Sequence, residues 1–367
     1  MTGLNIKDFL MHGAFLQIGP DLFKVLVGPF IKHNSIDEGL LKHSTLLYMP
    51  NFWDFLNPSQ NLSQKAVYSA REAYLLDREE FISFLKAAHS SVPGVAWNPI
   101  DETQFKYQFD WSLNNFKEDS LKKAVPIICQ TGTSDFKSEN LIWCIHHLVQ
   151  TKAFGWSYGF FENQTGLIGH TPEVLAQWSA VDHQLHTVAL AGTSDKTPGA
   201  AEAMLFDIKI RDEHQLVIED ILTKIRGLSF KTNWFQGNTE LLELKYLLHL
   251  MTEFQIEAQN LKEVFEIVNS LHPTAAMGIY PRRTSKLQEF SEFSLQKTRA
   301  GFAAPFGIVE ADSVCCVVAI RNLFFNKEKV KIFSGCGVTL ASDYRLEVLE
   351  LQSKRESVKK MMGLKND

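Results

Sequence analysis

The way apolar periodicity changes along this chain constrains its fold more than its composition does. From Lys123 onward, short runs of period two are joined in hairpins and followed by long runs of helical period, without the strict strand-helix-strand alternation of a parallel sheet. Lys123 to Cys129 reads as a strand, Ser138 to Thr151 as a helix, and Gly155 to Phe161 with Gly166 to Gly169 as a hairpin. Gln184 to Leu190 is a strand with His186, Val188 and Leu190 on one side. Ala201 to Ile225 is helical, with Ile210, Val217, Ile221 and Ile225 as its apolar stripe. The spacing predicts further helices over Leu241 to Phe254, Leu261 to Leu271 and Leu346 to Met362. Strands are expected over Phe302 to Val309, Val314 to Phe325 and Lys329 to Ser334. This order predicts a mixed α/β fold, largely antiparallel sheets layered with outer helices. Residues 1–110, rich in Phe, Leu and His, carry turn signals at Asn51, Pro58-Ser59 and Pro93-Gly94 but no readable motif. They are expected to be a structural part of the same domain as residues 111–367.

Composition narrows the functional classes. A chain of 367 residues with 45% hydrophobic and 22% charged residues lies in the soluble globular range. A formal net charge of −5 offers no basic footprint for nucleic acid or an anionic membrane, so an anionic substrate must be met by local cations or a metal. Lys7 and Asp8 interrupt the first apolar stretch, and Val314 to Ile320 is far too short to span a bilayer, so a cytoplasmic protein is expected. Five cysteines, an odd number without a CxxC pair, read as small core hydrophobes.

Glu347, Glu350 and Lys354, just after Gly335-Cys336-Gly337, share one helical face. Spacing alone favours a solvated face with an internal ion pair. Their company alters that reading. Upstream, in order, stand His170-Thr171-Pro172-Glu173, Leu190-Ala191-Gly192-Thr193, Asp212-Glu213-His214, His272-Pro273-Thr274-Ala275-Ala276 and Ala319-Ile320-Arg321. Together these segments resemble the chorismate-binding enzyme family, and within it the isochorismate synthases, across about residues 115–362.

The resemblance implies the fold of anthranilate synthase component I and a hydroxyl transposition on chorismate: water attacks ring carbon 2 while the carbon 4 hydroxyl leaves. It assigns Lys123 as the base and Glu173 as the acid. Lys122 is adjacent, and strand alternation lets only one of the two face a pocket; Lys123 is the choice. By resemblance Glu213 and Glu350 bind Mg²⁺, with Glu347 acting directly or through water. Arg321 and Lys354, with the backbone of Gly335 and Gly337, suit the enolpyruvyl carboxylate. Gly192, Thr193 and His249 complete the pocket, although His249 reads equally as a satisfied core histidine. Lysine at 123 favours water over ammonia, Ala191 disfavours the aminodeoxychorismate branch, and Ala276-Met277 is similar to plain isochorismate synthases and not to the salicylate-forming ones. A monomer without an obligatory glutaminase subunit is expected.

Three positions depart from the family pattern: Ile128 where an arginine is usual, Phe302-Ala303-Ala304 in place of a hydroxyl-bearing segment, and Asp343-Tyr344-Arg345 ahead of the last helix. Competing readings are a salicylate-, anthranilate- or aminodeoxychorismate-type enzyme, a catalytically silent chorismate-binding protein, and a thiol enzyme built on Cys336.

Overall fold

A computed structural model of the chain describes residues 3–34, 36, 41, 44–56 and 66–364. Among these, two nine-stranded antiparallel sheets form. One runs in the order Glu72–Asp77, Leu22–Val27, His12–Gly19, Trp156–Glu162, Thr165–Thr171, Asn322–Phe325, Lys329–Gly335, Ile127–Thr133 and Ala96–Trp97. The other runs Trp234–Glu243, Leu247–Glu257, Gln184–Asp195, Val174–Ser179, Ser313–Val318, Pro305–Val309, Leu46–Tyr48, Val67–Ser69 and Ile31–His33. The first hundred residues thus supply strands to both sheets.

Strand alternation divides the buried side chains into layers. Leu16 and Tyr158 of the first sheet meet Phe306 and Val317 of the second between them. The opposite face of the first sheet, with Phe15 and Phe161, packs on Leu141, Ile145 and Leu148 of helix Ser138–Gln150. The outer face of the second, with Leu185, Ala189 and Phe254, packs on Val217 and Ile221 of helix Ile208–Arg226 and on Val264 and Val268 of helix Leu261–Leu271. Antiparallel sheets layered with outer helices are therefore what the structure contains. Among the described residues, no helix is long and apolar enough to cross a membrane.

Two of the places where the chain changes sheets lie side by side. It leaves Thr165–Thr171 and enters Val174–Ser179 through Pro172-Glu173, and it leaves Ser313–Val318 and enters Asn322–Phe325 through Ala319-Ile320-Arg321. Backbone bonds lock the crossings together, Val318 N–H donating to Glu173 at 3.0 Å and His170 N–H to Arg321 at 3.3 Å. Arg321 takes φ = 55°, a left-handed conformation uncommon for a side chain of its size.

Several elements depart from the pattern. Leu241 to Phe254 is not a helix but a hairpin, Trp234–Glu243 followed by Leu247–Glu257. The second strand lies between two others, so its buried Leu247, Leu248, Leu250 and Met251 form a continuous apolar run that helical spacing imitates. The stretch 201–225 is two helices, Ala200–Phe206 and Ile208–Arg226, because extended Asp207 caps the second by accepting from Ile210 N–H. The strand over 123–129 is interrupted at Pro126: Lys123–Ala124 pairs with Ile279–Tyr280, whereas Ile127–Thr133 pairs with Lys329–Gly335. Phe302 precedes the strand Pro305–Val309, and the run 314–325 is divided by the second crossing. Leu185, Thr187 and Ala189 face the core, with His186 exposed. The turn at Pro58-Ser59 falls outside the described residues.

Candidate active site

Both crossings, the strand end at Gly335 and the start of the last helix converge on one cavity of about 50 Å³. Its lining includes Glu173, Gly192, Thr193, Glu213, His249, Ala276, Arg321, Gly335, Gly337 and Lys354. Lys123 and Glu350 stand one contact behind that lining, paired with Glu213 and Lys354, whereas Glu347 pairs with Lys209, which is not part of it. Apolar cover comes from Met277 and from Phe302 stacked on Phe333, their ring centroids 5.4 Å apart. Phe302 therefore packs a wall at the position where the family pattern has a hydroxyl.

Register decides between the two lysines. Lys123 pairs with Tyr280 and is wholly buried, whereas Lys122 is exposed. Lys123 Nζ donates to Ala275 O at 2.8 Å and lies 3.3 Å from Glu213 Oε1. One residue earlier on the same loop, Thr274 Oγ1 donates to Glu173 Oε1 at 3.3 Å. A single short segment thus holds both the ammonium and the carboxyl. Burial pushes the Glu173 carboxyl up to about 7, opposed by the Thr274 hydrogen bond and by the Lys123 and Lys354 charges.

That segment is itself clamped from below. Asp220 and Lys224, one turn apart and both buried, form a 2.6 Å ion pair; Lys224 also donates to Leu271 O and Pro273 O, and Asp220 Oδ2 accepts from Ala275 N–H at 2.9 Å. Burial lowers the Lys224 ammonium to about 8. Asp220→Ala strands that ammonium, so a loss of about 3–5 kcal/mol is expected in urea unfolding.

His249 is both things its sequence context allowed. It is buried and hydrogen-bonded, and it also lines the cavity. Nδ1 lies 3.2 Å from Gly192 O and 3.3 Å from Thr193 Oγ1, while Arg321 Nη2 approaches Nε2 at 3.4 Å. Burial and the Arg321 charge hold the imidazole well below its usual range, so it is neutral and accepts at Nε2. Arg321 also donates to Ser357 Oγ at 3.0 Å, fixing the guanidinium in the cavity wall. Glycine is required twice. Gly192 has φ = 75°, and at Gly337 a Cβ would fall 1.8 Å from Glu213 Oε1.

Each carboxylate in question has a lysine partner. Lys123 pairs with Glu213, Lys354 with Glu350 at 2.6 Å, and Lys209 with Glu347 at 2.6 Å. Lys354 also donates to Gly335 O at 2.8 Å. Asp343, in the divergent segment, caps the helix carrying Glu347, Glu350 and Lys354 by accepting from Arg345 and Leu346 N–H. Burial, then the neighbouring Glu350 charge, raises the Glu347 carboxyl. Burial also pushes Glu350 upward, but Lys354 outweighs it and the net direction is down. Glu213, Glu347 and Glu350 form an all-oxygen donor set that suits a hard dication, and among the described residues buried Glu347 Oε2 makes no well-formed hydrogen bond, although the Ser342 hydroxyl acts on the carboxylate, so the residues fit magnesium by chemistry. Among the described residues, no three His, Cys, Asp or Glu side chains converge closely enough as they stand to hold a metal.

Lys209 and the Asp220–Lys224 pair were not singled out in the sequence, and Thr274 stood in a motif segment without a role of its own. Lys209 precedes Glu213 by four residues, the spacing of an ordinary surface ion pair, which gives no sign of its reach to Glu347. Cys336 is buried, and burial pushes its thiol well above the ordinary range, which removes the thiolate a thiol enzyme would need.

A buried lysine, a carboxyl raised to about 7, fixed cations and a carboxylate trio are chemically able to hold a small anion and exchange protons with it. Residues 57–363 match the family described as chorismate binding enzyme, and the chain belongs to that family. It is 27% identical to the salicylate biosynthesis isochorismate synthase of Pseudomonas aeruginosa over 229 residues, 60% of this chain and 48% of that protein. To isochorismate synthase MenF of Haemophilus influenzae it is 30% identical over 199 residues, 51% of this chain and 44% of that protein. The chain thus spans about half the length of these curated relatives. The solved structure of MenF, the menaquinone-specific isochorismate synthase from Escherichia coli, superposes with a TM-score of 0.75 at 17% identity, covering 99% of this chain and 92% of that one. Anthranilate synthase component I from Streptococcus pneumoniae gives 0.68 at 13% identity, covering 90% and 83%. The fold is shared with both.

Proposed function

We propose that the protein is a magnesium-dependent isochorismate synthase. The observation that carries this reading is the placement of Lys123 and Glu173 on adjacent residues of one clamped loop, the lysine on Ala275 O and the carboxyl on Thr274 Oγ1. Lys123 takes the proton of the water that attacks ring carbon 2, and Glu173, about half protonated near pH 7 and more so below it, delivers a proton to the departing carbon 4 hydroxyl. Arg321 and Lys354 hold the enolpyruvyl carboxylate, and Phe302, Phe333 and Met277 exclude bulk water. Glu213 and Glu350, with Glu347 directly or through water, would hold magnesium, which when bound neutralises the ring carboxylate. The reading includes neither a glutaminase subunit nor an intermolecular site, and a cytoplasmic monomer is its simplest form.

Purified protein with chorismate and magnesium, without ammonia, is expected to give isochorismate by chromatography. Ala276 and Met277 leave the pocket wall apolar where elimination would need a donor near the ether, so little salicylate is expected near neutral pH. Aminated product only, or no turnover with any nitrogen source, would overturn the proposal. Salicylate and pyruvate as main products, in proportion to enzyme, would assign the lyase branch instead.

The raised Glu173 carboxyl has a stability consequence with a defined sign. Its folded value near 7 exceeds the unfolded 4.5, so its contribution is full below pH 4.5 and is lost as pH rises toward 7. Glu173→Gln, neutral throughout, should gain stability relative to wild type between pH 5 and 8, by up to about 3 kcal/mol. Parallel urea curves at those two pH values check it.

A further inference from the structure

We propose that Lys209 is a resident counter-ion of the carboxylate trio, a positioning residue that releases Glu347 when a divalent metal binds. The inference rests on the metal reading above and concerns a residue that reading does not use.

Of the three ammonium groups paired with the trio, Lys123 is wholly buried and Lys354 keeps a second bond to Gly335 O. Among the described residues Lys209 makes no other side-chain hydrogen bond, and its side chain is 26% exposed, so it has a way out to solvent. Its partner is the least comfortable of the three carboxylates. Glu347 is 1% exposed, its Oε1 is taken by Lys209 Nζ at 2.6 Å, and its buried Oε2 makes no well-formed hydrogen bond among the described residues, although the Ser342 hydroxyl acts on the carboxylate. A buried carboxylate near a second one requires a cation, and one ammonium meets half of its bonding capacity. The fields of Glu213, Glu347 and Glu350 all act on Lys209, which places its charge among the three groups a metal would share. An ammonium and a dication cannot both be first neighbours of Glu347 Oε1 without mutual repulsion. Lys209 therefore competes with the metal while keeping the trio folded in its absence.

Wild type, Lys209→Met and Lys209→Gln are compared by magnesium calorimetry and by thermal unfolding with and without saturating magnesium. Both variants are expected to bind magnesium about tenfold more tightly than wild type. Their melting temperatures should fall below wild type without metal and rejoin it when magnesium saturates. An affinity equal to or weaker than wild type, or a melting deficit that persists in saturating magnesium, would show an ordinary structural ion pair and overturn the inference. Absence of magnesium binding by wild type and variants alike would instead overturn the metal reading, and this one with it.

Discussion

Lys123→Ala should lower turnover of chorismate by roughly 10²–10⁴, the scale for deletion of a general base, while Lys122→Ala stays close to wild type. Lys122 immediately precedes the strand Lys123–Ala124, and the two lysines differ in burial, which makes the pair an internal control. Lys123 reaches Ala275 O and Glu213 from a wholly buried position; Lys122 is exposed. Removing the ammonium also leaves Glu213 without its partner, so part of the loss could come from local rearrangement. Melting curves of both variants separate that contribution, because a fold that survives with its turnover gone assigns the effect to chemistry. A silent Lys123→Ala with a crippled Lys122→Ala would mean that the strand runs one residue out of the register with Tyr280 described here.

Glu213→Gln and Glu350→Gln are each expected to abolish magnesium-dependent turnover. The two substitutions keep shape and hydrogen-bonding capacity but remove a formal charge from a site that must bind a dication together with a carboxylate substrate. They also change what the lysines do. With Gln at 213 or 350, Lys123 or Lys354 has no anionic partner, and the local field becomes more positive where the metal should enter. Isothermal titration with magnesium should show the affinity falling with the activity. Wild-type affinity in either variant would remove that residue from the ligand set.

How much of this was legible in the sequence depended on whether a residue's role was local. Glu173, Arg321 and Gly335 lie at strand ends and turns and Gly192 at a bulge within its strand, where a short motif marks the place at which a chain must bend and expose a group; with six further candidates they line one cavity. The capped helix Leu261–Leu271 was legible to the residue, since Asn260 and the apolar period both mark it. What could not be read was long-range. The 247–257 strand looks helical because neighbours on both edges let every position be apolar, and nothing in Leu-Leu-His-Leu-Met distinguishes the two cases. Lys209, Thr274 and Asp220 act on residues tens of positions away, on Glu347, Glu173 and Ala275 respectively, so no local period announces them.

Glu173 and Arg321 ride on two neighbouring segments where the chain passes from one sheet to the other, and those segments are bonded to each other. A ligand that engages both residues therefore acts as a stitch across the seam between the sheets. Opening of that seam, and not only of the pocket mouth, becomes the motion that ligand suppresses. Amide protons at His170 and Val318, which close the seam, should exchange more slowly with deuterium once the site is filled, whereas those at Phe15 and Tyr158, deep in the first sheet, should keep the rate set by global unfolding until the ligand raises global stability itself. The exchange map would then trace the seam as a line of protection running through the molecule well beyond the atoms that touch the ligand.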